Sequence, residues 1–179
     1  MFRTDLKRIY LVGPMGAGKT SIGKSLALLT QLPFLDIDEE IVRVEKRSIP
    51  AIFSEDGESG FRKIETEVLK KCSAYEGVIA TGGGVVVTPE NLDYLKNSGI
   101  VVYLYADVKT QFLRTSEDLN RPMLHVEDRF ERLKQIFDFR APLYQQIQDL
   151  TIDTCNNNVR ACVEKIIGTL KEQKWNQLQ

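Results

Sequence analysis

The chain has 179 residues, 42% of them hydrophobic and 27% charged, with a formal net charge of −1. That length suits one globular domain over 1–179, and the near-neutral balance argues against nucleic acid or an anionic membrane as the main partner, so any basic site must be local. Three cysteines, Cys72, Cys155 and Cys162, lack metal-ligand spacing and predict a reduced, cytoplasmic chain, while no apolar run approaches the roughly 18 residues that span a bilayer.

Short apolar runs alternate with longer amphipathic segments along the chain. RIYLV (8–12) reads as a buried strand, and Lys19 to Leu29 as a helix with Ile22, Leu26 and Leu29 on one face. PFLDID (33–38) is a second strand ending in acids. Helical stretches follow near 39–47 and 58–74, the latter with Phe61, Ile64, Val68 and Cys72 as an inner stripe. GVIAT (77–81) is the third strand. Thr88-Pro89-Glu90 is a helix start, a cap followed by proline in the first turn. GIVVYLYA (99–106) is the fourth strand, and Asp107 can cap the next helix. Residues 114–127 have little periodicity and predict a mobile loop. In 137–144 Pro142 is expected to kink or end a helix. DLTIDT (149–154) is the fifth strand, followed by a helix with Val159, Val163, Ile166 and Ile167 inward. The alternation predicts an α/β fold, a five-stranded parallel sheet with helices on both faces. Ligands then sit at the C-terminal ends of the strands.

GPMGAGKT (13–20) follows a strand and opens a helix, the context that a G-x-x-x-x-G-K-[ST] phosphate loop requires. Gly16, Ala17 and Gly18 can turn backbone N–H groups toward a phosphate at a helix N-terminus. Lys19 reaches the β and γ phosphates, the Thr20 hydroxyl can ligate Mg²⁺, and the N–H of Ser21 is available to the α phosphate. The loop predicts a nucleoside triphosphate. It leaves motor, switch and kinase open.

Asp36 and Asp38 flank Ile37 at the end of the second strand, where alternation would point both to one face. One carboxylate can hold the water shell of Mg²⁺ and the other can orient a hydroxyl for attack; a solvated strand end with a helix cap is the plainer alternative. Arg62, one turn into a helix that follows Gly57, and Arg140, just before Pro142, could each be surface cations. Together with the aspartates they suggest a small hydroxylated carboxylic acid, because guanidinium forks bind carboxylates bidentately. Gly82, Gly83 and Gly84 form a triple glycine after the third strand, which is costly to order unless something approaches the backbone closely.

At this point the stretches LVGPMGAGKTSIGK, DIDEEI, IFSEDGESGFRKIE, ATGGGVV, NRPMLHVE and RAPLYQQI, in order over residues 11 to 147, resemble the shikimate kinases, particularly the proteobacterial form. The phosphate loop is shared by many families; its combination with F-R-x-x-E, T-G-G-G, R-P-x-L and R-x-P-L-Y is specific. The resemblance implies a three-layer P-loop kinase fold with a mobile lid near 114–127 and a substrate-binding region near 38–65. It implies ATP-dependent phosphorylation of the shikimate 3-hydroxyl by a monomer with Mg²⁺ as cofactor and no nucleic-acid or membrane partner. By position, Asp38, Arg62 and Arg140 match the shikimate-binding residues, with Gly82, Gly83 and Gly84 admitting the ring. Asp36 matches the acid that holds Mg²⁺ through water. Arg121 matches a lid residue over the ATP phosphates, Arg114 a position near the adenine, and Asn157 the variable adenine turn. Met123 stands where the family usually has leucine, and Gln146 where it often has glutamate. His125 is expected to have no chemical duty. A gluconate-type kinase, a nucleoside monophosphate kinase and a nucleotide-dependent switch are the competing readings; the first lacks the spacing of Arg62, the glycines and Arg140, the second would need a base pocket for its acceptor, for which the sequence offers no candidate, and the third would need no small-molecule acceptor.

Overall fold

The computed structural model describes residues 8–116 and 128–176; the segment holding Arg121 and His125 lies outside them, as does the body of the expected lid. Five strands, β1 (Arg8–Val12), β2 (Phe34–Asp36), β3 (Gly77–Ala80), β4 (Ile100–Tyr105) and β5 (Leu150–Asp153), form one sheet in the order β2-β3-β1-β4-β5. Every pairing is parallel. The central strands are apolar on both faces, as a sheet covered on both sides demands. Tyr10 and Val12 of β1 join a core with Ile79, Val101 and Tyr103, while Ile9 and Leu11 join the opposite core with Val78, Val102 and Leu104.

The helices are α1 (Lys19–Thr30), α2 (Ile37–Glu45), α3 (Ile49–Lys71), α4 (Pro89–Ser98), α5 (Val108–Arg114), α6 (Arg129–Ile147) and α7 (Val159–Asn176). The face built on Ile9 and Leu11 is covered by Ile22 and Leu26 of α1 and by Val163 and Ile166 of α7. The other is covered by Ile41 of α2, Phe61 and Leu69 of α3, Leu95 of α4 and Tyr144 of α6. This is the α/β architecture that the alternating pattern predicts.

Four local features differ from the sequence reading. The second strand stops at Asp36, and Ile37 and Asp38 already belong to α2, because the Asp36 carboxylate accepts the backbone N–H of Asp38 at 3.0 Å and so caps that helix. Helix α3 starts at Ile49, earlier than expected, with Ser48 capping it and a break at Gly57, whose φ of 69° and ψ of −179° leave the helical region. Thr88 sits at the start of α4 with Pro89 in the first turn, but its side chain makes no capping bond. Helix α6 runs through Pro142 to Ile147. A proline inside a helix costs on the order of 3 kcal/mol. Here Leu133, Ile136, Arg140, Tyr144 and Ile147 bury one continuous face on both sides of it, and that packing outweighs the lost bond.

A short helical turn, Val85–Val87, connects the triple glycine to α4. It is held by Asn91, which is fully buried and donates its side-chain amide to the Val85 carbonyl at 3.0 Å. Asn91→Ala should cost about 2 kcal/mol, since a buried acceptor loses its donor. Thermal unfolding should show a fall in melting temperature of roughly 4–8 °C; an unchanged melt would mean that the turn is held otherwise.

Candidate active site

A parallel sheet brings the C-terminal ends of all its strands to one edge. The phosphate loop after β1, Asp36 at the end of β2, the glycines after β3 and the turn after β5 therefore meet there. Between them lies a cavity of about 290 Å³, lined by Gly16, Gly18, Lys19, Thr20 and Ser21 of the phosphate loop and α1 together with Asp36, Asp38, Thr81, Gly83 and Arg114.

The loop closes by local chemistry. Gly16 and Gly18 adopt left-handed φ values of 75° and 84°, which glycine takes without strain, and Gly18 caps α1. Lys19 folds back over the loop, its ammonium donating to the carbonyls of Gly13 and Pro14 at 2.8 Å each. Thr20 Oγ1 donates to Asp36 Oδ2 at 2.8 Å. The Asp36 carboxylate is thus fixed from two sides, by the Thr20 hydroxyl and by the N–H of Asp38. Asp36 and Asp38 both reach the cavity, as the sequence suggests, but through a strand end and a first helical turn rather than through strand alternation.

Next to Asp38 lies a buried charge cluster. Arg62 is 13% exposed and donates to Glu65, which is fully buried, at 2.6 Å, and to Glu58 at 3.2 Å. Burial works against the Arg62 charge, but the two glutamates outweigh it and raise its pKa. Burial pushes the Glu65 carboxyl up, against the pull of Arg62. Arg62 Nε and Glu65 Oε1 are buried with no hydrogen-bond partner among the described residues. Arg140, 4% exposed, reaches in from α6 and donates to the Gly83 carbonyl at 3.3 Å. Burial lowers its pKa, with Tyr144 acting against that shift. A buried and a half-buried guanidinium beside an aspartate and orphaned polar atoms form a site for an anionic, hydroxylated ligand.

The triple glycine has a steric reason at two of its three positions. None of the three has a left-handed φ, so a turn constraint does not explain them. A Cβ on Gly82 would stand 2.7 Å from Glu65 Oε1 and 2.9 Å from Asp38 Oδ1. One on Gly84 would stand 2.2 Å from Arg62 Nη2 and 2.4 Å from its Cζ. One on Gly83 would only touch the phosphate loop, 3.4 Å from the Met15 nitrogen and 3.5 Å from the Gly13 carbonyl oxygen. The sequence reading assigns all three to room for a ring. Within the protein itself, Gly82 and Gly84 make room for charged side chains that face the site.

Arg114 also lines the cavity, bridging the Gly16 carbonyl at 3.1 Å and the Thr154 carbonyl at 2.6 Å. Asn157 is not in the cavity lining; its amide donates to the Asp153 carbonyl at 2.9 Å and its oxygen accepts from Lys165 at 3.0 Å. Glu65 and Tyr144 belong to the cluster around the site; the sequence places them in the F-R-x-x-E and R-x-P-L-Y motifs but assigns them no role. A spacing of three from Arg62 and of four from Arg140 places each on the inner helical face of its arginine, a signal that was available.

A family model described as shikimate kinase matches residues 15–171. The shikimate kinase of Acinetobacter baylyi is 47% identical over 166 residues, 92% of each chain. That of Acinetobacter baumannii strain AYE is 45% identical over 170 residues, 94% of each chain. A solved shikimate kinase from Acinetobacter baumannii in complex with shikimate superposes with a TM-score of 0.92 at 44% identity, over 95% of this chain and 96% of that one.

Proposed function

The chain belongs to the shikimate kinase family, and from that premise we propose that it transfers the γ-phosphoryl group of ATP to the 3-hydroxyl of shikimate, giving shikimate 3-phosphate and ADP in the route to chorismate. The observation that carries the reading is the juxtaposition of Arg62, buried Arg140, Asp38 and the glycine loop with the phosphate-loop cavity.

ATP lies along residues 16–21 with its adenine toward Arg114 and the Asn157 turn. Lys19 exchanges its loop carbonyls for the β and γ phosphates. Shikimate sets its carboxylate against Arg62 and Arg140, and Asp38 holds the hydroxyl in line for attack. Phosphoryl transfer has a loose transition state that needs little early proton abstraction, so positioning and charge neutralisation carry most of the rate. Among the described residues no group of three or more His, Cys, Asp or Glu could hold a metal ion. The Thr20 hydroxyl and Asp36, in contact in the cavity wall, nonetheless fit Mg²⁺ when nucleotide phosphates supply the other oxygens. That ion would neutralise the phosphates. Arg121 completes the charge set from the lid expected near 114–127, and the region near 38–65 carries the acceptor. We further propose a monomeric, single-domain cytoplasmic enzyme; the three cysteines are free thiols, and among the described residues no helix is long and apolar enough to cross a membrane.

A coupled assay of ADP release with shikimate, gluconate or no acceptor tests this. Turnover should require shikimate; equal rates without acceptor would leave a nucleotide hydrolase or switch. Arg140→Lys keeps the charge but loses the fork, so the dissociation constant for shikimate should rise on the order of tenfold or more while that for ATP stays within about twofold. Calorimetric titration with each ligand separates the two. A fall in ATP affinity instead would move Arg140 to the nucleotide side.

A further inference from the structure

The Gly83 carbonyl is the point where α6 grips the glycine loop. Two donors from that helix converge on this one oxygen: Arg140 Nη1 at 3.3 Å and the hydroxyl of Tyr144. The two residues lie four apart, one turn along the buried face. Tyr144 is fully buried, and burial raises its pKa, so its hydroxyl remains a donor throughout the neutral range. On its other side Gly83 faces the backbone of the phosphate loop, close enough that an added Cβ would meet the Met15 nitrogen at 3.4 Å. The loop is therefore held between the nucleotide side and α6, and Tyr144 is one of the two hands that hold it.

A second tyrosine provides an internal comparison. Tyr103 of β4 stacks on Tyr144 with ring centroids 5.0 Å apart and 23° between planes. Its hydroxyl is also buried, yet it has no hydrogen-bond partner among the described residues. Filling this part of the core needs two aromatic rings, but only the Tyr144 oxygen reaches the site.

We propose that Tyr144 is a positioning residue for the acceptor: through the Gly83 carbonyl it fixes both the glycine loop and the direction of the Arg140 guanidinium, without touching the acceptor itself. This rests on the shikimate phosphorylation proposed above. A carbonyl has two lone pairs, and occupation of both leaves the loop one orientation rather than several. Without the hydroxyl, Arg140 alone would anchor the Gly83 carbonyl and would do so at long range, so the carboxylate end of the acceptor site would lose definition.

Tyr144→Phe and Tyr103→Phe remove one oxygen each from the same ring stack. In steady-state kinetics Tyr144→Phe should raise the KM for shikimate on the order of tenfold, with kcat lowered less than about threefold and the KM for ATP within about twofold. Tyr103→Phe should leave all three within about twofold. Hydrogen exchange of the backbone amides of residues 82–87 should quicken in Tyr144→Phe alone, a reading that does not depend on activity. A shikimate KM within twofold of wild type in Tyr144→Phe overturns the proposal. So does an equal rise in Tyr103→Phe, which would assign the effect to a loosened ring stack, or an equal rise in the KM for ATP. A wild-type protein whose ADP release ignores shikimate removes the function itself, and this inference with it, and is told apart because it needs no variant.

Discussion

Lys19→Ala should cut turnover by two to three orders of magnitude or more, the scale expected when a preorganised charge is removed from a transferring phosphoryl group. Lys19 is the loop's cation, and it already sits across the loop through 2.8 Å contacts with the Gly13 and Pro14 carbonyls. The ammonium is thereby stored next to the place where the phosphates arrive, and it has only to change partners. Those same contacts set the structural consequence. Two partly buried hydrogen bonds are lost, each worth on the order of 1 kcal/mol net, so the melting temperature should fall by no more than roughly 4–8 °C. Kinetics and thermal unfolding on the same preparation separate the two effects. Near-normal turnover would remove the loop from the chemistry, whereas collapse of the melt would show that Lys19 is a structural strut first.

Gly84→Ala should raise the KM for shikimate on the order of a hundredfold, because the added methyl must occupy space held by the Arg62 guanidinium, 2.2 Å from Nη2. Arg62 cannot yield easily. Its guanidinium is tied to the fully buried Glu65 at 2.6 Å and to Glu58 at 3.2 Å. Either the fork turns away from the carboxylate it is proposed to bind, or the glycine loop shifts from α6. Gly83→Ala is the matched comparison. Its methyl would meet only ordinary contacts at 3.4 Å and beyond, so it should cost the acceptor far less. Equal damage from both substitutions would mean that the loop, and not Arg62, limits the site. A protein that no longer folds with Gly84→Ala, while Gly83→Ala folds, would still place the constraint at Arg62.

The sequence alone was enough for features whose causes are local. Strand and helix alternation follows from hydrophobic periodicity, and the five parallel strands appear where the apolar runs stand. The phosphate loop is a contiguous motif whose glycines, lysine and threonine all act within one turn, so its geometry is written in its own eight residues. Asp36, Asp38, Arg62 and Arg140 were legible as candidates by residue type and by likeness to a family. What those residues do to each other was not legible, because the contacts span long stretches of chain. Pro142 reads as a stop, yet burial of the face through Arg140 and Tyr144 carries α6 past it. Asp36 and Asp38 read as strand neighbours, yet a side-chain cap starts α2 between them. The triple glycine reads as room for a ligand, yet at Gly82 and Gly84 the methyl is excluded by Glu65, Asp38 and Arg62, residues distant in sequence that only the sheet and α3 bring alongside. Periodicity and turn chemistry report on a few neighbouring residues at a time, whereas a charge cluster buried between α2, α3, α6 and a glycine loop exists only once the core has set the distances among them.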